Sequence, residues 1–167
     1  MTEIRTLSAA ANGGIPNHPH WPALLLPGAF APGEAEALLR AAGWGGIWRW
    51  GVYDHHHFHP NAHEALLCVA GAARLQLGGP EGAPVEVSAS DALVLPAGFG
   101  HRCLSARDGF AVLGAYPPGQ AQVETEAADP EAPRRFADRI AAVPRPRSHP
   151  LGGGPFPELW PPRATPA

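Results

Sequence analysis

The sequence contains no lysine, because all twelve of its basic residues are arginine. Schiff-base catalysis by a side-chain amine, phosphate-loop NTPase chemistry and kinase-type phosphoryl transfer all depend on a lysine ammonium group. Charge is also scarce, since 16% of the residues are charged and the formal net charge is −3. Such a chain has no basic field to gather phosphates along a groove. The composition therefore excludes these lysine-dependent mechanisms and predicts no nucleic-acid partner.

Cysteines and long apolar runs are equally scarce. Cys68 and Cys103 are too few for a disulfide scaffold and do not form a C-x-x-C pair, which favours a reduced compartment. No stretch approaches the ~18 consecutive apolar residues of a membrane span, and residues 1–14 lack a continuous apolar core. We therefore expect a cytoplasmic protein with no secretion signal and no membrane contact.

Glycine and proline are abundant instead, with 20 and 21 of the 167 residues. This content is close to that of unpatterned disordered chains, but 45% hydrophobic residues favour a packed, turn-rich core. Residues 44–119 show short segments with strand chemistry between turn clusters, which predicts an all-β sandwich or barrel. Apolar residues at helical spacing predict one short helix over 32–42 and another over 130–142.

These patterns divide the chain into three parts. Residues 1–43 are predicted to form an extended arm and a short helix, and residues 44–119 the barrel. Residues 120–167 are predicted to form a helix and a proline-rich extended tail packed on the barrel.

Histidines concentrate in one short segment, where His55, His56, His57, His59 and His63 fall within nine residues. Alternate side chains of a strand share a face, so His57 and His59 are predicted to point the same way, roughly 7 Å apart at the backbone. Two imidazoles at that spacing can converge on one metal ion. The residues alone leave a run of solvated histidines as the alternative.

The histidines lie in a longer spacing pattern. Five residues separate Gly51 from His57, one separates His57 from His59, four precede Glu64 and six precede Gly71. This pattern resembles the first motif of the cupin superfamily at every fixed position.

The second cupin motif is recognisable as well. Pro96, Gly98 and His101 stand at the family's spacing. Ser90 replaces the usual glycine, and Ser105 stands where asparagine is common. Neither position supplies a metal ligand in the family, so these departures concern a turn and a hydrogen bond.

Other segments resemble a narrower group, the small single-domain bacterial cupins of the YjlB type, over roughly residues 15–160. The resemblance implies an all-β fold, the cupin double-stranded β-helix (jelly-roll) barrel, with two short flanking helices. It leaves the reaction open, because a fold alone does not define a function. The segments that carry it are Ile15–Pro19, Gly43–Gly45, His63–Glu64, Leu75–Gly79, Pro96–Gly98, Gly114–Pro117 and Glu158–Trp160.

The resemblance further implies that His57, His59, Glu64 and His101 bind one divalent transition metal ion inside the barrel, with positions left open for water or substrate. Three imidazoles and one carboxylate suit iron, manganese, nickel, zinc or copper, and the affinity order does not choose among them. His63 is the alternative to Glu64, although a regular strand would place it on the opposite face.

Several other side chains near the motifs have more than one possible role. Regular strands would place Cys68 and Cys103 on the ligand face, either as buried packing or as a thiol pair beside the ion. His55 is either a hydrogen-bond donor behind the ligands or a surface residue, and parity puts Tyr53 on the pocket side. Aromatic residues interpreted mainly as core or dimer contacts are Trp48, Trp50, Phe58, Phe99 and Tyr116.

We expect a metal-dependent enzyme, an oxygenase, isomerase or lyase, that acts on a small polar metabolite. The alternative is a non-catalytic module that binds or senses a small molecule through the same ion. At least a homodimer is expected, because Trp21, Phe156 and Trp160 in the arms are costly to leave in water. The arms could instead fold back on their own barrel.

Overall fold

A computed structural model describes residues 3–163, so the outermost parts of the predicted arm and tail, residues 1–2 and 164–167, lie outside the described residues. Nine strands in this part form one antiparallel sheet, with a 3-10 turn at Pro32–Glu34 and three short helices. The strands are β1 Arg5–Leu7, β2 Ala23–Leu26, β3 Gly45–Trp50, β4 His57–Phe58, β5 Glu64–Leu77, β6 Pro84–Ser88, β7 Ala92–Leu95, β8 His101–Tyr116 and β9 Glu126–Ala127. The helices are α1 Ala35–Ala41, α2 Ala132–Arg135 and α3 Ala137–Ala142.

Two long strands, β5 and β8, pair with each other along the centre of the sheet. The first half of β5 also pairs with β7 and its second half with β6, while β8 pairs with β4 at its start and β3 at its end. Bulges near Gly71 bend β5 between these halves, and a Cβ at Gly71 would lie 2.5 Å from the carbonyl oxygen of Arg107. The sheet thereby curls into the jelly-roll barrel, which confirms the predicted all-β fold.

Strand β5 is buried on both faces. Leu67 belongs to a core cluster with Trp44 and Trp160, and its neighbour Leu66 belongs to a second cluster with Leu75. This is why β5 reads as a nearly continuous apolar run instead of an alternating one.

The helices lie where helical spacing predicts them, but the second is interrupted. Residue Phe136 separates α2 from α3 with φ −105° and ψ 0°. Its ring packs edge-to-face on Phe58 at a centroid distance of 5.5 Å, and Ile140 joins the same buried cluster. Both side chains face the barrel, as expected for residues four apart on a helix. The helical backbone hydrogen bonds continue across the break, from the N–H of Phe136 to Ala132 and from the N–H of Ile140 to Phe136.

The N-terminal segment is part of the sheet, because β1 pairs with β2 and β2 pairs with β7. The three-part division at residues 43 and 119 stays a prediction. None of the helices within residues 3–163 is long and apolar enough to cross a membrane.

The arm and tail cover each other's aromatic residues. The indoles of Trp21 and Trp160 stack with centroids 5.3 Å apart, and both side chains are buried within this chain, as is Phe156. Each indole N–H donates to a carbonyl of the other segment, Trp21 to Pro161 at 3.1 Å and Trp160 to Pro22 at 2.7 Å. The arms therefore fold back on their own barrel, and these residues no longer argue for the homodimer, which stays a prediction.

Candidate metal centre

Three strands bring the four motif residues to one part of the barrel interior. His57 in β4 lies opposite His101, the first residue of β8, and Glu64 is the first residue of β5. Phe58 points away into the core, so its neighbours His57 and His59 share the other face. The alternation of side chains expected of a strand therefore holds here, although β4 has only two residues.

The donor atoms of these side chains lie close together. One ligand atom from each of His57, His59 and His101 lies within 4.8 Å of the other two. The Nε2 atoms of His59 and His101 each lie 3.2 Å from an oxygen of Glu64. The two separations of 3.2 Å are close to those of neighbouring ligands around an ion with bonds of ~2.1 Å. The role of the four residues as ligands stays a prediction.

Backbone carbonyls orient all three imidazoles. Because a carbonyl oxygen can only accept a hydrogen bond, each Nδ1 must carry a proton. This leaves Nε2 as the nitrogen that can bind an ion, which is the tautomer that a metal ligand requires. The accepting carbonyls are His55 for His57 at 3.0 Å, Glu124 for His59 at 3.0 Å and Phe99 for His101 at 3.1 Å.

The pKa values of the ionisable groups in the site are shifted in different directions. Burial alone would raise the pKa of the Glu64 carboxyl, but His59 and His101 lower it below its usual range, so Glu64 is a carboxylate. Burial would lower the pKa of His59, yet the charge and hydrogen bond of Glu64 raise it. Burial, followed by the neighbouring His101, lowers the pKa of His57 to about 2. His57 is therefore neutral and available as a ligand at neutral pH.

A tyrosine hydroxyl orients the Glu64 carboxylate through one of its oxygens. Tyr116 donates its hydroxyl proton to Oε2 at 3.1 Å and accepts from the indole N–H of Trp48 at 2.8 Å. Oε1 is buried and lies 3.2 Å from Nε2 of His101, and it has no hydrogen-bond donor among the described residues while that nitrogen is unprotonated. A buried carboxylate oxygen without a hydrogen-bond donor is costly, so the position of Oε1 beside Nε2 of His101 fits a cation bound by both atoms.

Sequence reasoning missed the roles of Trp48 and Tyr116, which were interpreted as core or dimer contacts. Their contact depends on the register of β3 against β8, where Trp48 lies opposite Gly114. A Cβ at Gly114 would lie 2.1 Å from the indole, so this glycine makes room for Trp48. Neither local spacing nor residue type indicates that register.

The segment before β9 was also missed. Besides the Glu124 carbonyl, Thr125 places its hydroxyl oxygen 3.2 Å from Nδ1 of His59. Both residues are more than sixty positions from His59 along the chain, and no cupin motif extends to them.

His63 stands apart from the cluster. Its Nε2 lies 2.9 Å from the carbonyl of Pro144, and its Nδ1 accepts from the backbone N–H of Ala97 at 2.8 Å. The ring is fully buried, and burial lowers its pKa to about 3. The side chain that approaches the histidines is therefore Glu64, while His63 connects the barrel to the C-terminal segment.

The two thiols do not meet beside the ligands. Cys68 lies in β5, and Cys103 in β8 pairs with Leu75 of β5. Cys68 and Leu75 are seven residues apart on β5, roughly 20 Å along the strand, so the two thiols are far from each other. Bulges between the two positions break the parity on which the ligand-face prediction rests. Within the described residues, the group of metal-ligand candidates is His57, His59 and His101, and it contains neither cysteine. Glu64 lies outside this group and is placed beside it by its contacts with His59 and His101.

A cavity of about 240 Å³ connects the four motif residues to the surface. Leu66 and Tyr116 contribute to its walls, and Trp50 and Tyr53 lie at its mouth. Tyr53 is thus on the pocket side, as its parity predicts. His55 supplies its carbonyl to His57, while its own side chain is about half exposed.

No protein-family model matches the chain. The chain is 35% identical over 161 residues to the uncharacterized protein YjlB of Bacillus subtilis (strain 168), covering 95% of this chain and 97% of that protein. The chain belongs to the YjlB family. The resemblance inferred from the motifs is thereby confirmed. No reaction comes with membership, because this YjlB relative is itself uncharacterized.

Solved structures resemble this YjlB-family chain more distantly. Procruciferin, an 11S globulin from Brassica napus, is 16% identical over 65% of this chain and 23% of its own, with a TM-score of 0.40. ChmJ, a 3'-monoepimerase from Streptomyces bikiniensis, is 18% identical over 72% of each chain, with a TM-score of 0.39. Likenesses at this level say nothing about the function of the YjlB-family chain.

Proposed function

We propose that this protein is a metal-dependent enzyme that binds one divalent transition metal ion through His57, His59, Glu64 and His101. The observation that carries the proposal is the buried Oε1 of Glu64, which lies 3.2 Å from Nε2 of His101. It has no hydrogen-bond donor among the described residues while that nitrogen is unprotonated, and it lies beside a group of three converging imidazoles. A purely structural carboxylate at this depth would be expected to have both oxygens hydrogen-bonded. The cavity beside it gives a small molecule access to the ion.

The donor set suits the chemistry. Three imidazoles and one carboxylate are ligands that suit iron, manganese, nickel, zinc and copper. A bound ion of this class supplies Lewis-acid polarisation of a substrate oxygen or a binding position for dioxygen. The chain itself orients the imidazoles through backbone carbonyls, holds Oε2 through Tyr116 and shields the site with Leu66 and Trp48.

Metal content tests the proposal. Protein purified without a metal-affinity tag should contain about one transition metal ion per chain by elemental analysis. His59→Ala removes one of four proposed ligands and should lower occupancy sharply. His56→Ala is the matched control, since His56 belongs to the same histidine run but not to the converging group. Full occupancy in both variants would overturn the proposed ligand set.

The reaction class follows from the metal and from oxygen uptake. Iron with substrate-dependent oxygen consumption would support an oxygenase. Zinc or manganese without oxygen consumption would support an isomerase or lyase acting on a hydroxy or carbonyl compound. A metal-loaded protein that binds such compounds and converts none of them would contradict the enzyme and leave a binding module.

A further inference from the structure

We propose that Trp50 and Tyr53 form a recognition platform for the uncharged, planar part of a ligand whose oxygen atoms bind the metal ion. This inference rests on the proposed metal site and adds the class of molecule that the site takes. The platform is defined as the paired side chains of Trp50 and Tyr53 at the cavity mouth.

The platform is an unusual concentration of exposed apolar surface. Trp50 is 59% exposed and Tyr53 is 46% exposed, and their rings meet edge-to-face at 5.2 Å. The other large hydrophobic side chains exposed within residues 3–163 are Leu104 and Leu159, neither of which lines this cavity. Single exposed leucines are ordinary, whereas two adjacent aromatics at a cavity mouth are typical of binding surfaces.

The structure fixes the platform relative to the proposed ligands. The ring of Tyr53 meets the ring of His57 edge-to-face at 5.2 Å, with an interplanar angle of 88°. The carbonyl of Tyr53 accepts from the backbone N–H of Cys103 at 2.8 Å, which ties the loop to β8. The imidazole of His57 would therefore be the group that separates a ligand ring on the platform from the proposed metal position.

The charges that line the cavity limit the charged groups that the ligand can carry. No arginine lines it within the described residues, and the sequence has no lysine. Glu64 is the one acidic residue in the lining. Away from the ion, no side-chain cation is placed to neutralise a phosphate or a second carboxylate. The volume of about 240 Å³ lies below the ~300–1,000 Å³ of drug-sized sites, which favours a molecule with a single ring.

Two hydroxamates distinguish the contribution of the platform to binding from the contribution of the metal ion. Benzohydroxamate and acetohydroxamate share one metal-binding group and differ in the aromatic ring. Calorimetry on the zinc-loaded protein should show that benzohydroxamate binds about tenfold more tightly, because its ring stacks on the platform. Trp50→Ala should reduce this preference to about twofold or less, while affinity for acetohydroxamate stays unchanged. Tyr53→Ala, which also removes a contact of His57, should reduce the preference as well. Leu159→Ala, which also removes an exposed apolar side chain, should keep the full preference.

Failure of the metal site and failure of the platform give different results. A chain that binds no zinc contradicts the proposed function, and the platform with it. A chain that binds zinc and both hydroxamates, with a preference unaffected by Trp50→Ala, overturns the platform alone. Light scattering that shows a dimer dissociated by Trp50→Ala would also overturn it, by assigning these rings to a contact between two copies.

Discussion

Ser90 adopts a left-handed backbone conformation, with φ 88°, at the position where the related motif usually has glycine. Two backbone hydrogen bonds hold it there. Its N–H donates to the carbonyl of Cys68 at 3.0 Å, and its carbonyl accepts from Ala29 at 2.8 Å. The turn between β6 and β7 thus forms despite a side chain that disfavours it, at a cost of ~1 kcal/mol.

Ser90→Gly should raise the free energy of unfolding by about 1 kcal/mol, because glycine adopts this conformation without a Cβ clash. Urea denaturation measures the change. The control is Ser105→Gly, the other departure from the motif, which lies inside β8 and should lose ~0.5–1 kcal/mol. Equal destabilisation of both variants would contradict the explanation.

Tyr116→Phe should weaken metal binding by about 10–100-fold, because it removes the one hydroxyl that orients Glu64. Competition with a chelator measures the affinity. Tyr53→Phe removes another hydroxyl from the same cavity and should leave metal affinity nearly unchanged. If both substitutions had the same effect, Tyr116 would not be positioning Glu64.

At the scale of elements, the predictable parts of the site are those set by local spacing. His57 and His59 share a face because strand parity operates over two residues, even in a strand as short as β4. Cys68 shows where the same rule fails, since bulges in β5 shift the parity beyond it. Thr125 was unpredictable for another reason, because its contact with His59 depends on the path of a distant segment.

The helices show the same division between local and distant causes. The spacing of apolar residues over 130–142 predicts one helix, and these apolar residues do lie on a buried face. The interruption falls at Phe136, whose ring packs on Phe58 in β4, and no helical pattern records that contact. Helix α3 lies against the barrel, where Ile140 is close to the loop at Gly98.

The C-terminal segment should be a major source of stability. Trp160 is fully buried, stacks on Trp21 and donates to the carbonyl of Pro22. Trp160→Ala should lower the free energy of unfolding by about 3–5 kcal/mol, measured by urea denaturation. The adjacent Leu159→Ala, at an exposed position, should change it by less than ~0.5 kcal/mol. A small effect of Trp160→Ala would mean that the tail contributes little to the fold.

Across the whole molecule, buried neutral histidines make stability dependent on pH. Burial, followed by the charge of His63, lowers the pKa of His18 from 6.5 to about 3. Its Nδ1 accepts from the backbone N–H groups of His20 and Trp21, which requires a ring unprotonated at that atom. Because the unfolded chain binds the proton more readily, stability from His18 is present above pH 6.5 and is lost as pH falls toward 3.

Urea denaturation at pH 7 and pH 4 should therefore show a larger loss for the wild-type protein than for His18→Asn. The asparagine oxygen can still accept the backbone hydrogen bonds, but it does not titrate in this range. The difference should be at most about 1.4 kcal/mol per pH unit. Identical pH dependence in the two proteins would contradict a neutral, buried His18.

The central claim is that one ion is bound by three imidazoles and one carboxylate. X-ray absorption spectroscopy on protein purified without an affinity tag tests it most directly. The account predicts one transition metal ion per chain, surrounded by nitrogen and oxygen atoms at about 2.0–2.2 Å, with the outer scattering of three imidazole rings. Sulfur in the coordination sphere, fewer than three imidazoles, or no stoichiometric metal would contradict it.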